Sequence, residues 1–323
     1  MDTYRRLEDI PALEASALTI GTFDGLHRGH LAVIEQLVAR ASEHRVPAAV
    51  LTFDPHPKQV LAPRDSASFE VLATLAKKLL LLDAAGVDLV AVVTFDKPFS
   101  RLGPQAFLEQ VVMKYFNPAH IVVGYDHHFG HERKGNTAYI REQAAVQQYE
   151  VDVVDQVNIL GEPVSSSRIR QLLREGRCEE AETLLGWPYE LAGEVVRGDG
   201  RGRSIDFPTA NLRLDEPLQL IPMRGVYVVS TDMGGQIVFG MCNVGFRPTF
   251  NGKVLTVEAH FFSPPEKDLY GRQLAFRFHH RLRSEQKFTG PDALHAQLER
   301  DKLAARSWVA QLPLGEQQYA SVQ

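Results

Sequence analysis

Two hydrophobic periodicities divide this chain, and they restrict its fold more than any other feature. In the first half, short apolar runs alternate with amphipathic stretches. Residues 16–23 form one such run, and after it Leu31, Ile34 and Leu37 fall on one helical stripe. This alternation is typical of a parallel sheet with helices on both faces, and ligands of such sheets bind at the carboxyl ends of the strands.

The pattern changes around Trp187. Residues 165–187 predict two short helices, and residues 189–198, 225–245, 255–262 and 272–282 then predict strands separated by glycine-rich turns. Asp232-Met233-Gly234-Gly235 predicts a hairpin turn. We therefore expect an α/β domain over residues 1–186 and a closed antiparallel barrel over residues 187–323, ending in a helix over 291–312.

Composition restricts the partners and the compartment. The 323 residues are 44% apolar and carry a net charge of −5, which argues against a nucleic-acid or anionic-membrane partner. Cys178 and Cys242 lie too far apart in sequence to suggest a metal or disulfide framework. No signal core or membrane-length apolar run is evident, so we expect a cytoplasmic protein that is a monomer or a weak homo-oligomer.

The first motif is GTFDGLHRGH, residues 21–30, which begins at the end of the first apolar run. A strand that ends in glycines and opens a helix presents backbone N–H groups that attract phosphate. His27 and His30 are three residues apart, so both imidazoles can face one ligand on a first helical turn. A solvated helix start with incidental histidines explains the spacing equally well, and SSSR at 165–168 could be only a capped helix start.

The second motif is GDGRGRSIDFPTANLRL, residues 198–214. Its glycines form a flexible basic turn suited to closing over phosphates. Thr209 and Asn211 are two apart, so on an extended segment they offer two oxygen ligands to Mg²⁺ from one side. An ordinary turn before a strand fits the same residues. Glu258 alternates with Val257 and Ala259, and on pattern alone it is a solvent-facing strand residue.

The first half resembles the adenylyltransferase half of bacterial bifunctional riboflavin kinase/FAD synthetases. GTFDGLHRGH matches the family's nucleotidyltransferase signature, and residues 51–57, 122–136 and 164–173 match three later blocks, with Ser167 at a position that is usually threonine. The resemblance implies a Rossmann-like nucleotidyltransferase domain in which His27 and His30 are catalytic and stabilise charge on the α-phosphate. It implies ATP contacts at Gly21, Phe23, Gly25, His27, His30, Ser166, Ser167 and Arg170, and flavin contacts at His56 and Asp126. The attacking FMN phosphate is already ionised, so no general base is assigned.

The second half resembles the riboflavin kinase module, through FPTANL at 207–212, TVEAHFF at 256–262 and RLRSEQKF at 281–288. The resemblance implies a six-stranded antiparallel barrel with a terminal helix. It makes Glu258 the catalytic base, Thr209 and Asn211 the Mg²⁺ ligands, Gly202 an ATP contact and Arg283 a flavin contact. Asp206 stands where the family usually has glycine, and its carboxylate would either repel ATP or help to hold Mg²⁺.

These motifs predict an enzyme that phosphorylates riboflavin with ATP to FMN and then adenylylates FMN with ATP to FAD and pyrophosphate. Its partners would be riboflavin, FMN, FAD, ATP and Mg²⁺. A different adenylyl- or cytidylyltransferase with a fused barrel would not need FPTANL or TVEAH. A tRNA synthetase would carry a lysine-rich second signature, which is not evident. A non-catalytic flavin-binding protein is favoured only by Asp206.

Overall fold

The computed structural model describes residues 1–62, 69–198, 207–249, 252–263 and 268–313, with the backbone alone for 247–249 and 252–254. The chain forms two compact units, Met1–Ser166 and Ser167–Gln323. The predicted domain boundary at 186 lies further along the chain, because the helical segment after Ser166 groups with the second unit.

The first unit is built on a six-stranded sheet in which every neighbouring pair is parallel. Its strands are β1 (Asp2–Tyr4), β2 (Ser16–Ile20), β3 (Ala48–Asp54), β4 (Leu89–Thr94), β5 (Pro118–Gly124) and, later in the chain, β8 (Glu150–Val154). The order across the sheet is β1-β4-β3-β2-β5-β8. The strands from β2 to β4 are therefore added on one side of β2, and β5 and β8 on the other side. Two small antiparallel pairs are added by β6 (His128–Phe129) with β7 (Gly135–Asn136) and β9 (Asn158–Ile159) with β10 (Glu162–Pro163).

Helices cover both faces of this sheet. They are α1 (Arg28–His44), α2 (Pro57–Leu61), α3 (Leu75–Ala84), α4 (Pro104–Phe107), α5 (Lys114–Phe116) and α6 (Thr137–Gln147), with a π-helical stretch at Leu108–Met113 and 3₁₀ turns at Leu7–Asp9, Phe99–Arg101 and His131–Arg133. Successive residues of β3 alternate between two cores: Ala49 and Leu51 belong to one, and Ala48 and Val50 to the other. Burial on both faces explains why the strands are continuous apolar runs.

The second unit is a closed antiparallel barrel of six strands, as predicted. The strands are β11 (Tyr189–Val196), β12 (Ala210–Leu214), β13 (Gly225–Asp232), β14 (Ile237–Thr249), β15 (Gly252–Phe261) and β16 (Gln273–Arg283), in the order β11-β12-β15-β14-β13-β16. The predicted hairpin turn joins β13 to β14. Gly234 and Gly235 have φ values of 80° and 91° there, a conformation that glycine adopts without steric cost.

Three helices accompany the barrel. The two short helices predicted from the sequence are α7 (Ser166–Glu175) and α8 (Cys178–Leu185), and the predicted terminal helix is α9 (Pro291–Val309). α8 packs on β11 and β16, and α9 packs on β13, β14 and β16. Cys178 and Cys242 are both buried and unpaired, and burial raises the pKa of the Cys178 thiol to about 12.

Among the helices within the described residues, none is both long and apolar enough to span a lipid bilayer.

Candidate active sites

The turn after β2 stacks two histidines at the carboxyl edge of the parallel sheet. Phe23, Gly25 and Leu26 have φ values of 47°, 78° and 32°, which bend the chain sharply into α1. His27 caps that helix, since its Nδ1 accepts a hydrogen bond from the backbone N–H of His30 at 3.3 Å. The two imidazole rings are stacked with centroids 3.7 Å apart. Because Nδ1 of His27 is an acceptor, the neutral ring carries its proton on Nε2.

The surroundings keep His30 neutral at pH 7. Burial, then the neighbouring His27 and Lys78, hold the pKa of His30 well below its ordinary value. Its Nδ1 atom is buried and has no hydrogen-bond partner within the described part of the chain. An unpaired buried nitrogen is costly, so a ligand atom at this position would relieve the cost.

Close packing holds this turn in place. The ring of Phe23 lies edge-on to His30 at 5.4 Å, and a Cβ at Gly21 would meet the Phe23 ring at 2.9 Å. The Asp24 carboxylate accepts from the backbone N–H of Leu72 at 2.9 Å. The Asp24 carbonyl accepts from Ser166 Oγ at 3.1 Å. The structure therefore brings predicted site residues Gly21, Phe23, Gly25, His27 and His30 together and ties Ser166 to the same turn.

Sequence reasoning missed Lys78, a buried lysine beside this turn. Its ammonium group contacts Thr52 Oγ1 at 3.3 Å. Burial lowers the pKa of Lys78 to about 8. The carboxylates of Asp24 and Asp54 act in the other direction, because they stabilise the charged ammonium group and raise its pKa. The available signal was its helix position, because Lys78 lies one turn from Leu82 on the buried face of α3.

The other predicted residues of the first half lie on separate elements. His56 caps α2 and stacks on Phe69 at 4.4 Å, while Asp126 is exposed just after β5. Ser166 and Ser167 begin α7, and Arg170 follows one turn later as a buried residue. Ser167 and Arg170 belong to the second compact unit.

The barrel places Glu258 in a row of polar residues that crosses three strands. Glu258 on β15 is paired in register with Asn211 on β12 and with Asn243 on β14. Cross-strand partners share one face of a sheet, so the three side chains are neighbours. The adjacent row, Ala210, Ala259 and Cys242, is buried on the opposite face. Asn243 was also missed, because only the register between β14 and β15 shows that it lies beside Glu258.

Asn211 has an amide oxygen suited to a cation. The residue is 8% exposed, and its Oδ1 has no hydrogen-bond partner among the residues that the structure describes. A Cβ at Gly198 would collide with this amide, so the chain passes very close to it. Thr209 is half-buried two residues earlier, immediately before β12. Two positions singled out in the sequence lie outside the described residues: the predicted ATP contact Gly202, and Asp206, which stands where the family usually has glycine.

Arg283, the predicted flavin contact, is engaged with α9. Its guanidinium donates to both carboxylate oxygens of Asp301, with Nε–Oδ1 at 2.9 Å and Nη2–Oδ2 at 2.7 Å. Asp301 is 4% exposed and also accepts from Gln297 at 2.8 Å. This pairing joins the end of β16 to α9 and fixes the direction of the Arg283 side chain.

Two family models match successive parts of the chain. The model described as FAD synthetase matches residues 9–168, and the model described as riboflavin kinase matches residues 185–309. The first model matches most of the first compact unit, and the second matches the barrel strands and α9 of the second unit.

Known relatives match over nearly the whole length. A bifunctional riboflavin kinase/FMN adenylyltransferase of Listeria monocytogenes is 37% identical over 296 residues, covering 91% of this chain and 93% of the relative. The protein of the same name from Escherichia coli K12 is 37% identical over 298 residues, with coverages of 91% and 93%. A crystal structure named as a macrolide-efflux protein of Streptococcus pneumoniae has 31% identity and a TM-score of 0.85, over 95% of this chain and 99% of that one. The word efflux in that name describes the pneumococcal protein and is not carried over to this chain.

Proposed function

Because this chain belongs to the bifunctional riboflavin kinase/FMN adenylyltransferase family, we propose that its two units divide the two reactions between them. The enzyme transfers phosphate from ATP to riboflavin and AMP from a second ATP to FMN. In this assignment the first unit makes FAD and the barrel unit makes FMN. The observation that supports it most directly is that each unit contains its own polar site: the stacked histidines in one, and the Asn211–Glu258–Asn243 row in the other.

In the adenylyl transfer, an oxygen of the FMN phosphate attacks the α-phosphorus of ATP, and pyrophosphate leaves. Negative charge grows on the non-bridging oxygens of the α-phosphate, and N–H donors aimed at them stabilise it. We assign that role to His27 and His30. Their neutral rings each supply one N–H, and the hydrogen bond within the turn directs the proton of His27 to Nε2. Lys78 adds a positive charge beside the pair.

The other assignments in this half come from the family resemblance. Ser166 and Ser167 would bind the β- and γ-phosphates through their hydroxyls and the start of α7. Arg170 would neutralise the departing pyrophosphate. His56 and Asp126 would contact the flavin. Of these, the contact of Ser166 with Asp24 supports its place at the histidine turn.

In the kinase reaction, the 5′-hydroxyl of riboflavin must lose a proton as its oxygen attacks the γ-phosphate of ATP and ADP leaves. We assign the proton acceptor as the carboxylate of Glu258. Asn211 and Asn243 flank this carboxylate in register and can hold it in one orientation. Arg283 would contact the flavin from a position that Asp301 fixes.

Both reactions consume ATP, which supports a cytoplasmic enzyme and a divalent cation. We propose Mg²⁺, held in the barrel unit by the Thr209 hydroxyl and the Asn211 amide oxygen. The buried Oδ1 of Asn211, which has no partner in the described ranges of the chain, fits such an ion, because Mg²⁺ prefers oxygen ligands. When bound, the ion would neutralise charge on the ATP phosphates.

Separate assays of the two steps with two variants test this division. We expect Glu258→Gln to reduce FMN formation from riboflavin by about 10²- to 10⁴-fold, the usual contribution of a general base, and to leave FMN-to-FAD conversion unchanged. His30→Ala should do the opposite. Glu194→Gln provides a matched control, since Glu194 is a barrel carboxylate on β11 that pairs with Arg213. Loss of both activities in a folded single variant would contradict the division.

A further inference from the structure

A second cluster of histidines lies at the amino ends of the parallel strands, the end of the sheet opposite to the stacked histidines. His44 is the last residue of α1, His120 lies near the start of β5, and Glu150 is the first residue of β8. His120 and Glu150 are register partners on neighbouring parallel strands. His44 lies 14 residues after His30 in α1, so the two are about 21 Å apart along the helix. None of these three residues belongs to the sites described above for the two reactions.

His120 is a buried imidazole with unmet hydrogen-bonding capacity. It is 1% exposed, and neither ring nitrogen makes a hydrogen bond to any described residue. Nδ1 lies 3.6 Å from Glu150 Oε2, and Nε2 lies 3.3 Å from Asp152 Oδ2. Buried polar atoms are nearly always satisfied, so a bound ligand that supplies a partner to this ring would be stabilised.

The ligand atoms are close enough to share one ion. One atom each from His44, His120 and Glu150 lie within 4.8 Å of one another. A tetrahedral zinc site needs ligand atoms about 3.3 Å apart, given bonds of about 2.0 Å. Glu150 is 72% exposed and His44 is also exposed, so both can rotate inward onto the fixed His120 ring.

Asp152 lies beside Nε2 of His120, the nitrogen farther from Glu150, where it would be able to accept a hydrogen bond from a metal-bound ring. Its Oδ2 accepts from Gln36 at 2.7 Å and from Arg40 Nε at 2.6 Å, which anchors the carboxylate beside Nε2 of His120. A carboxylate on the far nitrogen commonly orients a metal-binding histidine. Here it would leave Nδ1, the nitrogen nearer Glu150, for the ion.

The local charge also favours a cation. The carboxylates of Glu43, Asp152 and Glu150 surround the cluster, and Arg40, which contacts both Glu43 and Asp152, balances only one of them. Two imidazoles with one carboxylate suit Zn²⁺, Co²⁺ or Ni²⁺, whereas Mg²⁺ prefers oxygen ligands alone.

We propose that His44, His120 and Glu150 form a binding site for a divalent transition-metal ion of the Zn²⁺ class at the amino edge of the sheet. The bound ion would join the end of α1 to β5 and β8. Its expected effect is on the stability of the first unit, since the site is remote from the stacked histidines.

Titration of the metal-free, untagged full-length protein with Co²⁺ tests the proposal. We expect visible ligand-field bands of tetrahedral Co²⁺ at one equivalent, displaced by Zn²⁺. His44→Ala and Glu150→Gln change exposed side chains, so both should fold, and each should weaken binding at least tenfold. Zn²⁺ should raise the thermal midpoint of the wild type and not that of His44→Ala.

Two controls separate this site from other histidines. His131→Ala removes an exposed histidine elsewhere in the first unit and should bind Co²⁺ like the wild type. A His27→Ala/His30→Ala variant should also retain the bands. The proposal is overturned if the wild type gives no tetrahedral bands, or if the bands survive His44→Ala and disappear with the His27/His30 variant.

Discussion

At the scale of single residues, burial acts on charged and neutral groups with different consequences. Lys78 and His30 are both buried in the first unit, where the charge of Lys78 acts on His30, and each loses proton affinity. Asn211 carries no charge, and its buried oxygen instead lacks a donor among the described residues. The first arrangement makes stability depend on pH, while for the second we have proposed a bound cation.

Lys78 should make the first unit more stable in mild alkali. Its pKa falls from 10.5 unfolded to about 8 folded, so between these values the unfolded chain binds more protons and the free energy of unfolding rises with pH. From about pH 7.5 to about pH 9.5, we expect the wild type to gain about 2 kcal/mol relative to Lys78→Met. Urea unfolding followed by far-ultraviolet circular dichroism measures the difference, with Lys77→Met on the same helix as the control. A wild-type-minus-variant difference that does not change with pH would contradict this expectation.

Asn211→Ala should change the metal requirement of one reaction only. Removing the amide oxygen takes away one of the two proposed ligands, so the Mg²⁺ concentration for half-maximal FMN formation should rise about tenfold or more, a typical loss for a metal-site residue. Asn211→Asp keeps an oxygen and should recover part of the affinity. The Mg²⁺ dependence of FMN-to-FAD conversion in the same variant is the internal control. An unchanged Mg²⁺ requirement for FMN formation would remove Asn211 from the ligand set.

At the scale of elements, the sequence predicts those strands and turns whose position depends on hydrophobic periodicity or on turn residues. Both-face burial makes the strands of the first unit readable as apolar runs, and two glycines with positive φ mark the β13–β14 hairpin. β14 and β15 are consecutive strands that pair from Thr249 and Gly252 onward. The alternation in the sequence delimits these strands only to residue 245 and from residue 255, so it does not place Asn243 beside Glu258. Lys78 was missed because the sequence predicts its helix but does not show that the helix face carrying Lys78 is buried.

The junction between β16 and α9 should depend on one ion pair. Asp301→Asn would leave the Arg283 guanidinium without its carboxylate in a mostly buried position, and breaking such a pair costs about 3 kcal/mol. Trp187 and Trp308 both belong to the second unit, so their fluorescence during urea unfolding reports on it. Glu299→Gln, which removes an exposed partner of Lys302, should cost less than about 1 kcal/mol. Equal stability of the two variants would show that the Arg283 pair does not hold α9.

At the scale of the whole molecule, each compact unit has apolar clusters of its own among the described residues: two on the parallel sheet, and two between barrel strands and α9. We have proposed that the stacked histidines serve one reaction and Glu258 the other, so a substitution at one site should leave the other reaction in place. The product of the kinase, FMN, is then the only chemical link that the two reactions require.

Mixing two single variants should therefore restore the complete conversion of riboflavin to FAD. His30→Ala chains retain the kinase site and should release FMN, and Glu258→Gln chains retain the histidine turn and should adenylylate it. With riboflavin, ATP and Mg²⁺ present, FAD should appear after a lag, because FMN must first accumulate in solution. Chromatography of the flavins over time measures the lag, and the Glu258→Gln/His30→Ala double variant should form neither product. If the mixture makes no FAD while each variant still performs its own step on added substrate, FMN must pass between sites of one chain without entering solution.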